Sequence, residues 1–354
     1  MTRPVPDVPI PDLPGVLGAR RVRAAAAAIA AAQEPSGAVP WFPGGHVDAW
    51  DHVECAMALL VGGEPEAAAR AYDWLFAVQR ADGSWPMRTE GGAVIDPAAD
   101  TNMCGYVAVG VWHHWLVCRD PGFVTRAWPV VHRALDFVVC HQLPFGGIDW
   151  AIDRHGASFG AALLAGSASV RHALSSGLLL ADLLHEPQPH WEVALDRLDH
   201  ALREHEDRFD PRPRHAMDWY YPVLTGALRG RHAAVRIAAR WDDFVVPGLG
   251  VRCVVDRPWV TGAETCELAI ALAAIDRRDA AVRLLADMQH LRDPDGSFWT
   301  GYVFADRARW PEERSTWTAA AVVLAADVLT GTTGGADLFR DSADRVARVP
   351  VHPG

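Results

Sequence analysis

The sequence predicts an all-α protein, an (α/α)6 toroid of about six helical hairpins, and three observations support this. Apolar residues recur at helical spacing along most of the 354 residues, without the strict alternation of an amphipathic strand. A phrase that starts with Gln and ends with Trp recurs where predicted helices end. From Gln33 in the first copy to Gln289 in the last, five equal steps give a period of about 51 residues, the size of a hairpin with its loops.

The helical spacing also assigns the individual elements. We expect helices near residues 18–32, 48–61, 65–79, 101–118, 122–142, 160–184, 190–206, 216–228, 230–241, 263–276, 278–291, 315–329 and 336–346. Residues 1–17 form a proline-rich N-terminal segment, and residues 18–348 are assigned to a single barrel domain. Because one hairpin cannot bury its own apolar face, the hairpins must pack against one another.

Composition excludes several function classes. The net charge of -11 and the pI near 5.8 argue against nucleic acid as a partner. The chain contains no lysine, so it cannot form a Schiff base or supply the lysine of a P-loop. No segment reads as a secretory signal or a membrane span, and the six cysteines show no metal-ligand spacing. We therefore expect a cytoplasmic protein with reduced thiols.

The recurring phrase carries a resemblance to a known family. Its clear copies span residues 33–41, 79–85, 142–150 and 289–299. The copy Gln-Arg-Ala-Asp-Gly-Ser-Trp ending at Trp85 resembles the QW repeat of terpene cyclase and prenyltransferase toroids. The whole chain is similar to actinobacterial proteins described as prenyltransferases. The six-hairpin glycosidases, which are related to glucoamylases, share this barrel and carry similar loops, so the phrase indicates the fold more strongly than the chemistry.

Acidic residues near the starts of alternate helices predict a site at one end of such a barrel. The inner helices of a toroid run parallel, so the residues at their N-terminal ends meet at one mouth of the central cavity. The acidic residues in question are Asp51, Asp100, Asp218, Glu264 and Glu313, and their aromatic neighbours are Trp50, Tyr106, Trp219, Trp259 and Trp317. Helix capping and the helix dipole also favour acids at these positions, so a purely structural role for each stays open.

Asp100 is the strongest single candidate for an acid. Protonation-initiated terpene cyclases open an inner helix with an Asp-rich motif, and residues 98–102, Ala-Ala-Asp-Thr-Asn, resemble its DxDTT form. The resemblance implies that Asp100 is the proton donor, although Ala98 replaces the first Asp of the motif. Thr101 and Asn102 are candidate hydrogen-bond donors to Asp100 in a dry pocket.

Two further carboxylate pairs favour glycoside hydrolysis. Asp51 with Glu54, and Glu264 with Glu267, are each three residues apart and so share a helix face. Two carboxylates across a cavity are what glycoside hydrolysis requires. Trp50-Asp51-His52 also resembles the early Trp-Asp element of six-hairpin glycosidases. The alternative is that Glu54 and Glu267 face solvent or pair with arginines.

Aromatic residues and one arginine complete the predicted substrate site. Trp219, Tyr220, Tyr221 and Trp259 are the best candidates to shield a carbocation or stack on a sugar. Arg252 is a candidate for binding a diphosphate or another acidic group. Adjacent His113 and His114 point in different directions on a helix, so we expect no metal, and we expect no cofactor.

These observations lead to two enzymatic hypotheses. The first is a terpene-cyclase-like enzyme, an isomerase or lyase, in which Asp100 protonates an isoprenoid alkene. The alternative is a glycoside hydrolase or lyase that uses two of Asp51, Asp100, Glu264 and Glu313. A non-catalytic isoprenoid- or glycan-binding toroid is the remaining interpretation. In each case the partner is a small molecule, and a homodimer is possible.

Overall fold

The computed structural model describes residues 8–340. Its helices form two concentric rings, as the sequence predicts. The inner ring contains α2 (Ala49–Val61), α4 (Thr101–Gly105) with α5 (Val107–Cys118), α7 (Leu164–Leu184), α9 (Ala216–Leu224), α12 (Gly262–Ala273) and α14 (Thr316–Thr330). The outer ring contains α1 (Ala19–Ala32), α3 (Pro65–Ala77), α6 (Pro121–Cys140), α8 (Pro189–Glu204), α10 (Gly230–Ala239) and α13 (Arg278–Asp287). A short α11 (Trp241–Phe244) follows α10.

The burial of each helix explains its place in the two rings. Every residue of α2 and α12 is buried, which is typical of a helix covered on all sides. Outer helix α8 instead buries one stripe, which consists of Trp191, Ala194, Leu198, Ala201 and Leu202. Helix α14 packs against α2, and α1 packs against α14, so the ring is closed. The all-α toroid is therefore confirmed.

Short strands, which the sequence analysis did not predict, lie in the connections that lead from outer to inner helices. They are β1 (Arg88–Glu90), β2 (Ala93–Asp96), β3 (Ala99–Asp100), β4 (Ala151–Ile152), β5 (Val245–Val246), β6 (Gly250–Arg252), β7 (Trp259–Thr261), β8 (Gly301–Val303) and β9 (Ala308–Arg309). All pairs are antiparallel; β1 pairs with β2, β3 with β4, and β5 to β9 form one sheet in chain order. Strands of two to four residues are too short for alternation to reveal them.

Some predicted helix boundaries are wrong. The helix predicted over 101–118 is divided at Tyr106 into α4 and α5, and the helix predicted over 216–228 ends at Leu224. A 3-10 turn, Gly334–Asp337, occupies the start of the last predicted helix. The rest of that helix beyond residue 340, and the proposed domain boundary at 348, lie outside the described residues. Within residues 8–340, no helix combines the length and hydrophobicity needed to cross a membrane.

The recurring phrase ties neighbouring outer helices together. Gln79 Nε2 donates hydrogen bonds to the carbonyl oxygens of Gly83 (3.0 Å) in its own loop and Val130 (2.9 Å) in α6. Gly83 has a φ of 92°, and a Cβ there would lie 2.2 Å from the carbonyl oxygen of Arg133. Only glycine fits such a turn so close to another backbone. The copies beginning at Gln33 and Gln142 repeat the arrangement, bonding to Ala67 and Ala194.

Gln79→Ala is expected to lower the free energy of unfolding by about 2 kcal/mol, because two partly buried carbonyl groups lose their donor. Gln289→Ala is the matched control. Gln289 begins the fourth copy, but its Nε2 bonds the carbonyl oxygen of Leu285 and the sulfur of Met288, so it does not tie two outer helices together. Urea unfolding of both variants measures the difference, and equal losses would show that the bridge between outer helices contributes nothing.

Candidate active site

A cavity of about 290 Å³ opens at the N-terminal ends of the inner helices. Its acidic lining residues are Asp48, Asp51, Asp100 and Asp218. Its aromatic lining residues are Trp41, Trp50, Tyr221 and Trp317. The remaining lining residues are Asn102, Met103, Leu163, Ala165, Gly166, Arg212, His215 and Met217. The cavity thus has the mixture of carboxylates and aromatic walls that the sequence predicts for this end of the barrel.

Asp48 and Asp51 lie together at the start of α2. Asp48 caps the helix, because its Oδ1 accepts hydrogen bonds from the backbone N–H groups of Trp50 (3.0 Å) and Asp51 (2.9 Å). The side chain of Asp51 is 9% exposed and hydrogen-bonds the Asp48 carboxylate. Burial and the neighbouring Asp48 raise the pKa of Asp51 well above its ordinary value. Asp51 therefore holds its proton to higher pH than an ordinary aspartic acid does.

Asp100 lines the same cavity from the start of the next inner helix. It caps α4, with its Oδ1 accepting from the backbone N–H of Met103 at 3.1 Å. Burial raises the pKa of Asp100 to about 6, while the backbone N–H groups of Met103 and Asn102 oppose this rise. At pH 7 Asp100 is mostly ionised. Asp51 and Asp100 thus bring two carboxyl groups with raised pKa values to one cavity.

Asp218 lines the wall opposite α2. It lies on α9, which occupies the place in the inner ring three helices away from α2. Its Oδ1 accepts from the backbone N–H of Ala165 at 3.2 Å, and burial raises the pKa of Asp218. Arg212 and His215 lie nearby on the same wall and are exposed. Arg212 and Asp218 also line an adjoining cleft of about 380 Å³, so the two cavities share a wall.

The aromatic wall stands above the Asp48 and Asp51 carboxyl groups. The Trp50 ring packs on the Tyr106 ring, with centroids 4.7 Å apart, and against Trp317 edge-on at 5.9 Å. Trp41 lies 5.5 Å from Trp317. Among the described residues, neither Trp50 Nε1 nor Asn102 Oδ1 has a hydrogen-bond partner, although both atoms are buried. A donor and an acceptor are therefore free to bind substrate hydroxyl groups.

A second acidic layer lies one helical turn deeper in the barrel. Glu54 Oε1 accepts from the Tyr106 hydroxyl at 3.0 Å. Glu267 accepts from the hydroxyls of Tyr221 (2.7 Å) and Tyr220. Both carboxyl groups are buried; burial raises the pKa of Glu54 to about 7, and burial together with the neighbouring Glu54 raises the pKa of Glu267 well above its ordinary value. The suggestion that Glu54 and Glu267 face solvent or pair with arginines is therefore wrong.

Two of the four predicted catalytic residues, Glu264 and Glu313, do not line this cavity. The Glu264 carboxylate is buried and accepts from the hydroxyl of Thr261. Glu313 Oε1 accepts from Trp41 Nε1 at 2.6 Å and belongs to a separate groove beside α1. Glu313 therefore lies outside the cavity and fixes the side chain of Trp41, which lines it. The chemical roles of all four remain predictions at this point.

Several predicted substrate-binding residues have structural partners instead. The Thr101 hydroxyl donates to the Asp149 carbonyl oxygen at 2.6 Å, so it is not a donor to Asp100. Tyr106 and Tyr220 are buried and bond Glu54 and Glu267. None of these three lines the cavity, because each hydroxyl points into the protein to satisfy a buried acceptor.

Three others also lie off the cavity. Trp219 Nε1 donates to the Arg236 carbonyl oxygen, and the residue lines the adjoining cleft. Trp259 lies on β7 and donates to the Trp310 carbonyl oxygen at 2.9 Å. Arg252 Nη1 donates to the carbonyl oxygens of Val255 and Asp243, and Arg252, which was predicted to bind an anion, does not line the cavity. Of the predicted substrate-binding residues, Trp50, Asn102, Tyr221 and Trp317 line the cavity, and their roles remain predictions.

The sequence analysis missed Asp48, Arg212 and His215 as lining residues. Asp48 has a recognisable signal, since an Asp directly before an apolar helix is a favoured N-cap. Arg212 and His215 lie in a proline-rich connection before α9, where no spacing rule fixes the direction of a side chain. Only the folded connection brings them to the cavity.

Comparison with known proteins identifies the family. The sequence matches no protein-family model. It is 56% identical over 331 residues to a Mycolicibacterium hassiacum protein named MMP endo-(1,4)-3-O-methyl-alpha-D-mannosidase, covering 94% of this chain and 92% of that protein. This chain belongs to the family of that mannosidase. The prediction of a terpene cyclase or prenyltransferase-like isomerase or lyase is therefore wrong, and the relative supports the glycoside hydrolase alternative.

Solved structures share the fold of this mannosidase family member. A glycosidase aligns with a TM-score of 0.69 at 18% identity, covering 88% of this chain and 96% of that chain. A D-mannose isomerase aligns at 0.65 and 10% identity, over 87% and 96% of the two chains. Cellobiose 2-epimerase from Spirochaeta thermophila aligns at 0.65 and 13% identity, over 89% and 98%. At these identities the likeness shows the fold alone.

The terpene-cyclase resemblance misled for identifiable reasons. The Gln-to-Trp phrase builds connections between outer helices, which toroids of several chemistries need. The motif-like residues 98–102 contain a central Asp, Asp100, that caps a short helix, a role open to any family. Because the terpene-cyclase prediction is wrong, the predicted isoprenoid substrate is wrong as well. The homodimer stays a prediction.

Proposed function

We propose that this protein is a glycoside hydrolase that cleaves internal (1,4) linkages between 3-O-methyl-α-D-mannose units. The relative that shares 56% of its residues over nearly the whole chain supports the substrate class. The observation that carries the chemistry is the pair Asp51 and Asp100, which line one cavity and whose pKa values are both raised by burial, that of Asp100 to about 6 and that of Asp51 well above its ordinary value. Such a pair assigns one carboxyl as acid and the other as base or nucleophile.

In this proposal Asp51 is the general acid. Its proton moves to the glycosidic oxygen as the bond from that oxygen to the anomeric carbon breaks, so the leaving sugar departs as a neutral hydroxyl. The burial that raises the pKa of Asp51 keeps the proton in place until the substrate arrives. Asp48 is a positioning residue, because its Oδ1 is fixed by two backbone N–H groups and its carboxylate bonds Asp51.

Asp100 supplies the second carboxylate. Being mostly ionised at neutral pH, it either takes a proton from the attacking water or attacks the anomeric carbon itself. In both routes one water is consumed, and its oxygen ends on the newly formed reducing end. Trp50 Nε1 and Asn102 Oδ1 offer a donor and an acceptor to sugar hydroxyls, and Trp317 and Tyr221 present rings to the sugar faces.

The expected result of the first activity test is endo-cleavage. A tetramer of (1,4)-linked 3-O-methyl-α-D-mannose incubated in ¹⁸O-water should yield dimers, with the label on the new reducing ends as read by mass spectrometry. Proton NMR of the first product gives its anomeric configuration, which separates direct attack by water from attack by Asp100. Absence of hydrolysis, or release of monomers alone from a chain end, would refute the proposed function.

A further inference from the structure

Several exposed apolar side chains lie on connections at the end of the barrel where the cavity opens. Among the described residues, seven large apolar side chains are exposed; five of them lie on the connections between outer and inner helices, and four of these five are more than half exposed. These four, which we name the apolar rim, are Val94, Ile95, Phe159 and Trp310, with exposed fractions of 53%, 58%, 53% and 52%. Exposed apolar groups that a bound ligand could cover jointly are candidates for a binding surface.

The apolar rim is held in place by contacts that lead back to the catalytic cavity. Val94 lies on β2 and lines a small cleft of about 180 Å³ that shares Asp48 with the cavity. The Phe159 ring packs on Trp150, with centroids 4.9 Å apart, and the Trp150 carbonyl oxygen accepts from the N–H of Thr101 next to Asp100. The rim is thus continuous with the elements that carry the carboxylates.

Trp310 extends the apolar rim on another connection. Its ring meets the Trp259 ring edge-on, with centroids 4.9 Å apart, and its carbonyl oxygen accepts from Trp259 Nε1 at 2.9 Å. Trp259 in turn lies on β7, directly before inner helix α12. These contacts hold the exposed face of Trp310 in one orientation, so it loses little side-chain freedom when a ligand packs against it.

The substrate class explains why such a rim would be needed. A cavity of about 290 Å³ is at the small end of ligand sites, whereas an endo-acting enzyme must hold sugar units on both sides of the cleaved bond. The chain must therefore pass over the mouth. A 3-O-methyl ether replaces a hydroxyl donor by an apolar group, which gains free energy on leaving water for an apolar surface.

We propose that the apolar rim binds the methyl ether groups of substrate units outside the cavity and thereby selects methylated over unmethylated mannosides. This inference rests on the proposed function and adds the surface that distinguishes a methylated sugar from an unmethylated one. The carboxylates inside the cavity perform the same chemistry on either substrate, so selection for methylation falls to contacts with the O-methyl groups. Burying one methyl group is worth about a fourfold change in binding.

The test compares two tetramers that differ only in methylation. Ile95→Ser, Phe159→Ala and Trp310→Ala are each expected to lower kcat/KM for the 3-O-methyl tetramer by about fourfold or more. Hydrolysis of the unmethylated (1,4)-α-D-mannose tetramer should change little. Val193→Ser and Val235→Ser are the matched controls, because these valines are 60% and 59% exposed but lie on outer helices α8 and α10.

Each other outcome would overturn the inference. Equal losses on both tetramers would show a general chain-binding surface, and unchanged kcat/KM values would show no role in binding. If sedimentation shows that wild type self-associates and Ile95→Ser does not, the apolar rim is an interface between copies. Failure of wild type to hydrolyse the methylated tetramer would instead refute the proposed function itself. Thermal melting of every variant identifies any loss that reflects unfolding, and Ile95→Ser on an exposed strand then provides the test.

Discussion

Asp51→Asn is expected to lower kcat on the methylated tetramer by about a thousandfold or more, because the leaving oxygen loses its proton donor. The asparagine side chain has nearly the same size and can still hydrogen-bond Asp48. Folding should therefore be retained, as circular dichroism and thermal melting would show. Steady-state kinetics of the purified variant beside wild type measure the loss.

A leaving-group comparison separates the acid from the second carboxylate. In an aryl mannoside made from a strongly acidic phenol, the phenolate leaves without protonation. Asp51→Asn should therefore recover much of its rate on that substrate. Asp100→Asn should lose activity on both substrates, because its role precedes or accompanies attack on the anomeric carbon. If Glu264→Gln shows the behaviour expected of Asp100→Asn, and Asp100→Asn does not, the second carboxylate is wrongly assigned.

The pH profile gives an independent reading of the same assignment. Asp100 must be ionised to act, and burial places its pKa at about 6. In wild type, kcat/KM should therefore fall as the pH decreases below about 6, and this acidic limb should disappear from the residual activity of Asp100→Asn. The pKa of Asp51 lies well above its ordinary value, so its protonated form persists to higher pH than that of an ordinary aspartic acid.

The fold could be predicted from the sequence because the same local arrangement recurs. The side-chain amide of Gln79 bonds the next outer helix, and Gly83 adopts the positive φ of the turn beside that helix. Both residue types recur at a fixed spacing in the sequence. The starts of inner helices are also visible, since Asp48 and Asp100 cap them. Helix capping thus places acids at the cavity, and the sequence locates the chemistry for a structural reason.

The remainder of the site could not be predicted because it depends on directions that spacing does not encode. Thr101 follows Asp100 directly, yet its hydroxyl turns away to the carbonyl oxygen of Asp149. Trp219 and Tyr221 are two residues apart on α9, but Tyr221 lines the catalytic cavity and Trp219 lines the adjoining cleft. The chemistry itself was misassigned because one fold hosts many unrelated functions, and the recurring phrase and the helix caps belong to the fold.

The deeper carboxyl layer should make the stability of this protein fall as the pH rises. Burial raises the pKa of Glu54 in the folded protein from 4.5 to about 7, so between these values the folded chain holds a proton that the unfolded chain has released. The contribution of Glu54 to the free energy of unfolding is therefore largest below pH 4.5, and it decreases as the pH rises from 4.5 through 7. The expected contribution is about 3 kcal/mol.

Glu54→Gln should remove this contribution. Glutamine is uncharged at every pH and its amide oxygen can still accept from the Tyr106 hydroxyl, so the variant should lose less stability than wild type between pH 5 and pH 8. Urea unfolding at the two pH values measures both differences, and Glu66→Gln, at an exposed position on α3, is the control. A pH dependence as steep in Glu54→Gln as in wild type would show that Glu54 is ionised in the folded barrel. The tyrosine hydroxyls around Glu54 and Glu267 would then have to stabilise two buried charges rather than two neutral acids.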